Sequence, residues 1–175
     1  PEPVALALDA GGTFLKVGLV DAEGRALDGS LDQVPVDSAG PREGILGSYA
    51  EAVSRGLGAA GSRGVRVAGI GVATPGPFDY AGGRSLMQHK FREIHGLDLR
   101  GELRRRCALG EDFPLRFLHD VHAFVYGEIL CGAAKGWRRV AGVTIGTGTG
   151  FGCIVDGLFL DNGAGSPRVS LYRRP

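Results

Sequence analysis

The chain has 175 residues, with 20 Lys and Arg against 19 Asp and Glu and a formal charge of +1, so it supports one domain of ordinary size, or one and a fraction, and offers no bulk electrostatic case for nucleic acid or a membrane surface. No apolar run reaches the roughly 18 residues of a membrane span, and the start lacks the basic and apolar regions of a signal peptide, so a cytoplasmic location is expected. Cys107, Cys131 and Cys153 form no Cys-x-x-Cys pair, which excludes a zinc knuckle or a disulfide framework and predicts reduced, mostly buried thiols.

Taken in chain order, "VALAL" (Val4 to Leu8) and "FLKVGLV" (Phe14 to Val20) read as aliphatic strands joined by a tight turn. An ordinary hairpin would be content with Asn-Gly or Asp-Gly, whereas this turn has a carboxylate, Asp9, at its entrance, Gly11-Gly12 within it and Thr13 at its exit. "DAEGR" then turns the chain into a third strand over residues 26–36, completing an antiparallel meander. Pro41 to Gly61 carries Ile45, Leu46, Tyr49, Val53 and Leu57 at helical spacing and ends in glycines, predicting an amphipathic helix with a glycine stop. Val65 to Ala73 reads as a buried strand broken by Pro75-Gly76-Pro77. The aperiodic loop that follows, "FDYAGGRSLMQHKFREIHG", is long enough to suggest function.

Asp98 to Cys107 reads as a second helix, capped by Asp98, with Leu99, Leu103 and Cys107 one turn apart. Its Arg104-Arg105-Arg106 tail meets the negative end of the helix dipole and is read as a solvated helix end rather than a phosphate site. Pro114 to Asp120 is a strand ending in His119-Asp120. The following segment, Val121 to Gly136, is a helix expected to turn Val121, Phe124, Val125 and Ile129 inward. Open sheets place ligands where a strand ends in a polar pair just before a helix. From Arg139 onward the chain reads strand, Gly-Thr turn, strand, Asp-Gly turn, strand.

That last stretch repeats the opening plan. With 31 glycines but no Gly-X-Y period and no Ser/Gly tract, the glycines serve turns and close backbone approaches rather than a collagen or a linker. Two hairpins of one design suggest two halves facing across a cleft and presenting amides and hydroxyls to a shared anion; coincidence among Gly-rich turns is the alternative. No G-x-x-x-x-G-K-[ST] occurs, and "GTGTGFG" fails G-x-G-x-x-G, since Phe151 and Cys153 stand where the last glycine should and a strand follows.

"LDAGGTFLKVGLVD", "GVATPGPFDYAGG", "HDVHAFVYGE" and "GTGTGFGCIVDG", in this order from Leu8 to Gly157, resemble the motifs of the ROK family of bacterial sugar kinases and repressors. The resemblance implies an α/β fold of the ribonuclease-H-like, actin-like ATPase kind, a mixed sheet flanked by helices, with ATP and sugar in a cleft between two lobes. Residues 1–118 would form the first lobe, and 119–175 the start of a second whose remainder is absent. The resemblance further implies that Asp9 holds Mg2+ through water, that Gly11, Gly12, Thr13 and Lys16 surround the phosphates, and that Gly146, Thr147, Gly148 and Thr149 form a second phosphate loop. It makes Asp120 the catalytic base and sets Gly76, His89, Lys90, His119 and Asp120 on the sugar side.

Each residue has a plainer account. Asp9 could cap its turn, Asp120 could be the N-cap of the next helix, Glu128 is an exposed or interlobe helix acid, and His89 and Lys90 could belong to a solvated loop. The chain also departs from the family pattern. His119 stands where Asn is usual, and "NGAGSPRVSLYRRP" lacks the Glu, Gly-His and zinc-binding cysteines that commonly follow the second hairpin, which points to a zinc-free or divergent branch. The expected function is an ATP-dependent kinase of a hexose, glucose-like or an N-acylated amino sugar, in a protein that is a homodimer at full length and binds neither nucleic acid nor membrane. The alternative is a non-catalytic sugar sensor or transcriptional repressor, disfavoured because only Pro1 to Pro3 precede the first strand where a helix-turn-helix would be needed. An actin-like scaffold or ATPase is disfavoured by the His-Asp strand end and the "TPGPFDY" loop.

Overall fold

A computed structural model describes residues 2–145 and 149–160. Strand β1 (Val4–Ala10) alternates inward and outward, burying Val4, Leu6, Leu8 and Ala10, and pairs antiparallel with β2 (Phe14–Val20) so that Asp9 lies opposite Lys16. The third strand, β3 (Asp32–Pro35), is much shorter than residues 26–36. The cause is local: Gly29 takes a positive φ, and the Ser30 hydroxyl accepts a hydrogen bond from the Leu19 amide at 3.1 Å, so side chain replaces backbone in the ladder.

Helix α1 (Arg42–Ser62) lies on this meander and buries Ile45, Leu46, Tyr49, Ala52 and Val53. Gly56 is the contact point with the sheet. A Cβ there would stand 2.6 Å from Leu6 Cδ1 and 2.9 Å from Val17 Cγ2, so only glycine permits the approach. The glycine stop exists, but at Gly64 rather than Gly61. The Val65 amide donates to Ala60 O and the Gly64 amide to Gly61 O, with Gly64 at φ 64°, the hydrogen-bond pattern of a Schellman end.

Strand β4 (Val67–Thr74) runs parallel to β1. After it the long segment is not a bare loop: it contains a hairpin of β5 (Phe78–Asp79) and β6 (Arg84–Ser85), a cis peptide at Gly76–Pro77 and one 3-10 turn at Arg92–Ile94. It buries Met87, Phe91 and Ile94 at irregular spacing, which is why no periodicity betrays it. Helix α2 (Leu99–Arg106) is capped as expected, the Asp98 carboxylate accepting from the Gly101 amide at 3.0 Å. Its arginine run is not merely solvated. Arg106 pairs with Glu43 at 2.7 Å and Glu102 at 3.1 Å, tying α2 to α1, and Arg105 pairs with Glu102.

Strand β7 (Leu115–His119) completes a sheet of order β3-β2-β1-β4-β7. Helix α3 (Asp120–Leu130) follows directly and packs on a second sheet built from β8 (Arg139–Ile145), β9 (Thr149–Val155) and β10 (Leu158–Phe159). The helix stops at Leu130, short of Gly136, because the Glu128 carboxylate accepts the Ala133 amide at 2.8 Å and draws the chain into a turn. Its buried residues are Val121, His122 and Val125, whereas Phe124 is exposed. Gly142 and Gly150 explain the register: a Cβ at either would collide with Val125 or Val121, so these glycines let α3 settle on the strands. All three cysteines are free, but Cys131 is exposed and the other two only half-buried. A mixed sheet flanked by helices is the α/β fold class expected from the sequence.

Candidate active site

Strands β1, β4 and β7 are parallel and end together, with Asp9 opposite Ala73 and Thr74 opposite His119. Asp120 is the next residue, the first of α3. The carboxyl end of this sheet therefore gathers Asp9, Thr74, His119 and Asp120, where parallel strands expose their loops to a ligand.

Asp9 is about half exposed, and its Oδ2 lies 3.9 Å from Lys16 Nζ. Burial of the carboxyl pushes its pKa up, Lys16 pulls it down, and the Asp120 carboxylate pushes it up again. The Asp120 carboxylate thus bears on Asp9 at the carboxyl end of the sheet. No amide of the hairpin turn donates to Asp9 among the described residues, so it is not a turn cap.

Within that turn the Gly11 amide donates to Phe14 O at 3.0 Å, and a Cβ on Gly11 would lie 2.7 Å from that oxygen. Gly11 is needed to close the turn, and its amide is occupied. The Thr13 carbonyl accepts from Val36. The Gly12 and Thr13 amides make no hydrogen bond among the described residues, which leaves two adjacent donors for an anion.

The N-cap of α3 is His119, in extended backbone conformation, and Asp120 occupies the first helical position, where its charge is favoured by the helix dipole. Asp120 Oδ1 accepts from the Val121 amide at 2.7 Å and stands 3.4 Å from His119 Nδ1. Its Oδ2 has no partner among the described residues. The His119 imidazole, only 15% exposed, is pushed toward its neutral form by burial, with Asp120 opposing.

Its ring meets Tyr80 edge-on at 6.0 Å and His122 at 5.2 Å, while His122 stacks on Phe159 at 3.7 Å. Gly76 lies beside this group, since a Cβ there would be 3.4 Å from the Tyr80 hydroxyl oxygen and 3.6 Å from His119 Cδ2. The Tyr80 hydroxyl donates to Thr74 O at 3.3 Å, and burial raises its pKa.

His89 is exposed, and Lys90, half-buried, lies against Gly12. Thr149 begins β9; Gly146, Thr147 and Gly148 lie outside the described residues. Glu128 serves the helix stop, as its position as a helix acid suggests. The sequence reading missed Tyr80 and His122. The three-residue spacing of His119 and His122 was a usable signal, whereas Tyr80 reaches His119 only through the fold of the β5–β6 segment.

A model of the ROK family matches residues 5–166. Two curated glucokinases are similar: that of Thermotoga maritima, 29% identical over 91% of this chain and 47% of its own length, and that of Streptomyces coelicolor, 30% identical over 87% and 44%. The crystal structure of a ROK family glucokinase from Streptomyces griseus in complex with glucose and AMPPNP superposes with a TM-score of 0.73 at 28% identity, over 89% of this chain and 46% of that one. The ROK hexokinase of Thermus thermophilus gives 0.72 at 29% identity, over 90% and 48%. A ROK family transcriptional regulator, a homolog of the E. coli MLC protein, shares the fold at 20% identity, with a TM-score of 0.72 over 91% and 38%. The chain spans about half the length of the curated relatives it matches.

Proposed function

Since this chain belongs to the ROK family, we propose that its protein is an ATP-dependent sugar kinase that transfers the γ-phosphoryl group to a hydroxyl of a hexose. Glucose is the first candidate and an N-acylated amino sugar the second. The observation that carries this reading is the convergence of Asp9, near the end of β1, and Asp120, just after β7, at the carboxyl end of the sheet, with the open Gly12 and Thr13 amides in the turn after β1.

In this reading residues 1–118 and 119–175 face each other as lobes. Asp120 Oδ2, which has no partner among the described residues, accepts the proton of the sugar hydroxyl as its oxygen bonds to the γ-phosphorus and the bond to the bridging oxygen of ADP breaks. His119 and Gly76 line the sugar side. The Gly12 and Thr13 amides and Lys16 receive phosphate oxygens, joined by Thr149 and its neighbours Gly146, Thr147 and Gly148.

Magnesium fits Asp9. The carboxyl is burdened by burial and by Asp120, so a cation relieves it. Magnesium is commonly held by one or two carboxylates together with phosphate oxygens and water, so a single protein carboxylate is sufficient here. When bound it supplies charge neutralisation on the phosphates. A homodimer at full length belongs to the same reading.

The test is ADP release by the full-length protein from ATP across hexoses and amino sugars, with Asp120→Asn beside it. One sugar turned over, and a loss of about 10²- to 10⁴-fold in kcat with little change in sugar affinity, supports the assignment. A sugar that binds without turnover favours the sensor reading.

A further inference from the structure

Lys90 lies across the first hairpin. Its Cδ and Cε are each 3.8 Å from the position a Cβ on Gly12 would occupy, and Ser38 Oγ is 3.4 Å from the same point. The lysine stem and the serine hydroxyl thus both stand beside Gly12, at the point its missing side chain would fill. The next residue fixes that placement. Phe91 is fully buried, its amide donates to Ser38 O at 2.8 Å and its ring packs on Tyr49 at 5.9 Å. Phe91 also holds a φ of 50°, a conformation that bulky residues rarely adopt and that persists only when surrounding contacts enforce it.

The charge at the end of that stem is unanswered. Among the described residues the Lys90 ammonium makes neither an ion pair nor a hydrogen bond, whereas Lys16, on the same hairpin, faces Asp9 at 3.9 Å. The Gly12 and Thr13 amides of the turn beside that stem make no hydrogen bond among the described residues either. An unpaired cation whose stem lies beside a turn with two unpaired amides suits an anion, and a neutral sugar gives it no counter-charge.

We propose that Lys90 binds the polyphosphate of the nucleotide at the first hairpin, as a charge contact, and takes no part in holding the sugar. The proposal rests on the kinase reading and adds to it a phosphate ligand from outside the hairpin motif, delivered by the segment that also buries Met87 and Phe91. That segment would then couple the seat of the phosphates to the core of α1 through Tyr49.

The test measures affinity of the full-length protein for AMPPNP with Mg2+, and separately for glucose, in the wild type, Lys90→Met and Lys90→Arg. Methionine keeps the stem and removes the charge, while arginine keeps the charge; Lys90→Gln replaces methionine if that variant does not fold. The expected result is AMPPNP binding about tenfold to hundredfold weaker in Lys90→Met, near wild type in Lys90→Arg, with glucose affinity unchanged in both. Loss of glucose affinity, or AMPPNP binding in Lys90→Met equal to wild type, overturns the proposal and leaves the kinase reading standing. A wild type that binds no AMPPNP removes both.

Discussion

His119 Nδ1 stands 3.4 Å from Asp120 Oδ1, its ring set edge-on against Tyr80 and His122. Burial lowers the imidazole pKa and the neighbouring carboxylate only partly restores it, so the folded chain takes up a proton on His119 at lower pH than the unfolded chain does. As pH falls below the ordinary histidine value of about 6.5, the unfolded state binds more protons and stability is lost. Urea midpoints between pH 7.5 and 5.5 are expected to fall in the wild type and to fall less in His119→Asn. Equal slopes for the two proteins would show that the imidazole is not the group responsible.

Asp9 carries the opposite sign. Its carboxyl is pushed up by burial and by Asp120, against the pull of Lys16, so the folded chain holds a proton at pH values where the unfolded chain has lost it. Above that window the ionised carboxylate works against the fold, and stability rises as pH falls through it. Asp9→Asn is therefore expected to raise the melting temperature of the nucleotide-free protein at pH 7.5 while abolishing Mg2+-dependent turnover. The gain should narrow on acidification, when wild-type Asp9 takes up its own proton. Differential scanning fluorimetry across pH measures this, and a variant less stable than wild type at neutral pH contradicts it.

What could be read in the sequence follows from what is local. The alternation in "VALALDA" and the spacing of Ile45, Leu46, Tyr49 and Val53 depend on residues a turn or two apart, and these elements form as read. Asp98 caps α2 through an amide three residues on. The misreadings involve distant partners. The start of β3 is decided by Ser30 meeting Leu19, the arginine run by Glu43 reaching Arg106, and the burial of His122 in place of Phe124 by the packing of α3 on β9. The site divides the same way. Asp9 and Asp120 stand out as acids at strand ends, whereas Lys90 reaches Gly12 from a segment far along the chain, beyond α1 and β4, and no spacing announces it.

Gly56 makes the close approach of α1 testable. Alanine gains about 1 kcal/mol in helix propensity over glycine, yet its Cβ would lie 2.6 Å from Leu6 Cδ1 and 2.9 Å from Val17 Cγ2, both fully buried. Overpacking of this kind costs about 1–3 kcal/mol, so the clash is expected to win. Gly56→Ala should lose about 1 kcal/mol in urea unfolding, and Gly56→Val more. Gly58, on the same helix with nothing within 4 Å of its Cβ position, is the control, and Gly58→Ala should stabilise.

Gly76 separates folding from sugar binding. A Cβ there would meet the Tyr80 hydroxyl oxygen at 3.4 Å and His119 Cδ2 at 3.6 Å, which is ordinary van der Waals contact, and its φ is not in the left-handed region. Gly76→Ala should therefore fold with stability close to wild type. The added methyl projects toward the two rings beside Asp120, the side assigned to the sugar, and one methyl group in a fitted pocket is worth about 10- to 200-fold in discrimination. The expected outcome is a KM for the sugar raised about tenfold or more, with the KM for ATP unchanged. Steady-state kinetics with each substrate varied at saturation of the other measures this, and a rise in the ATP constant alone would move Gly76 from the sugar side to the nucleotide side.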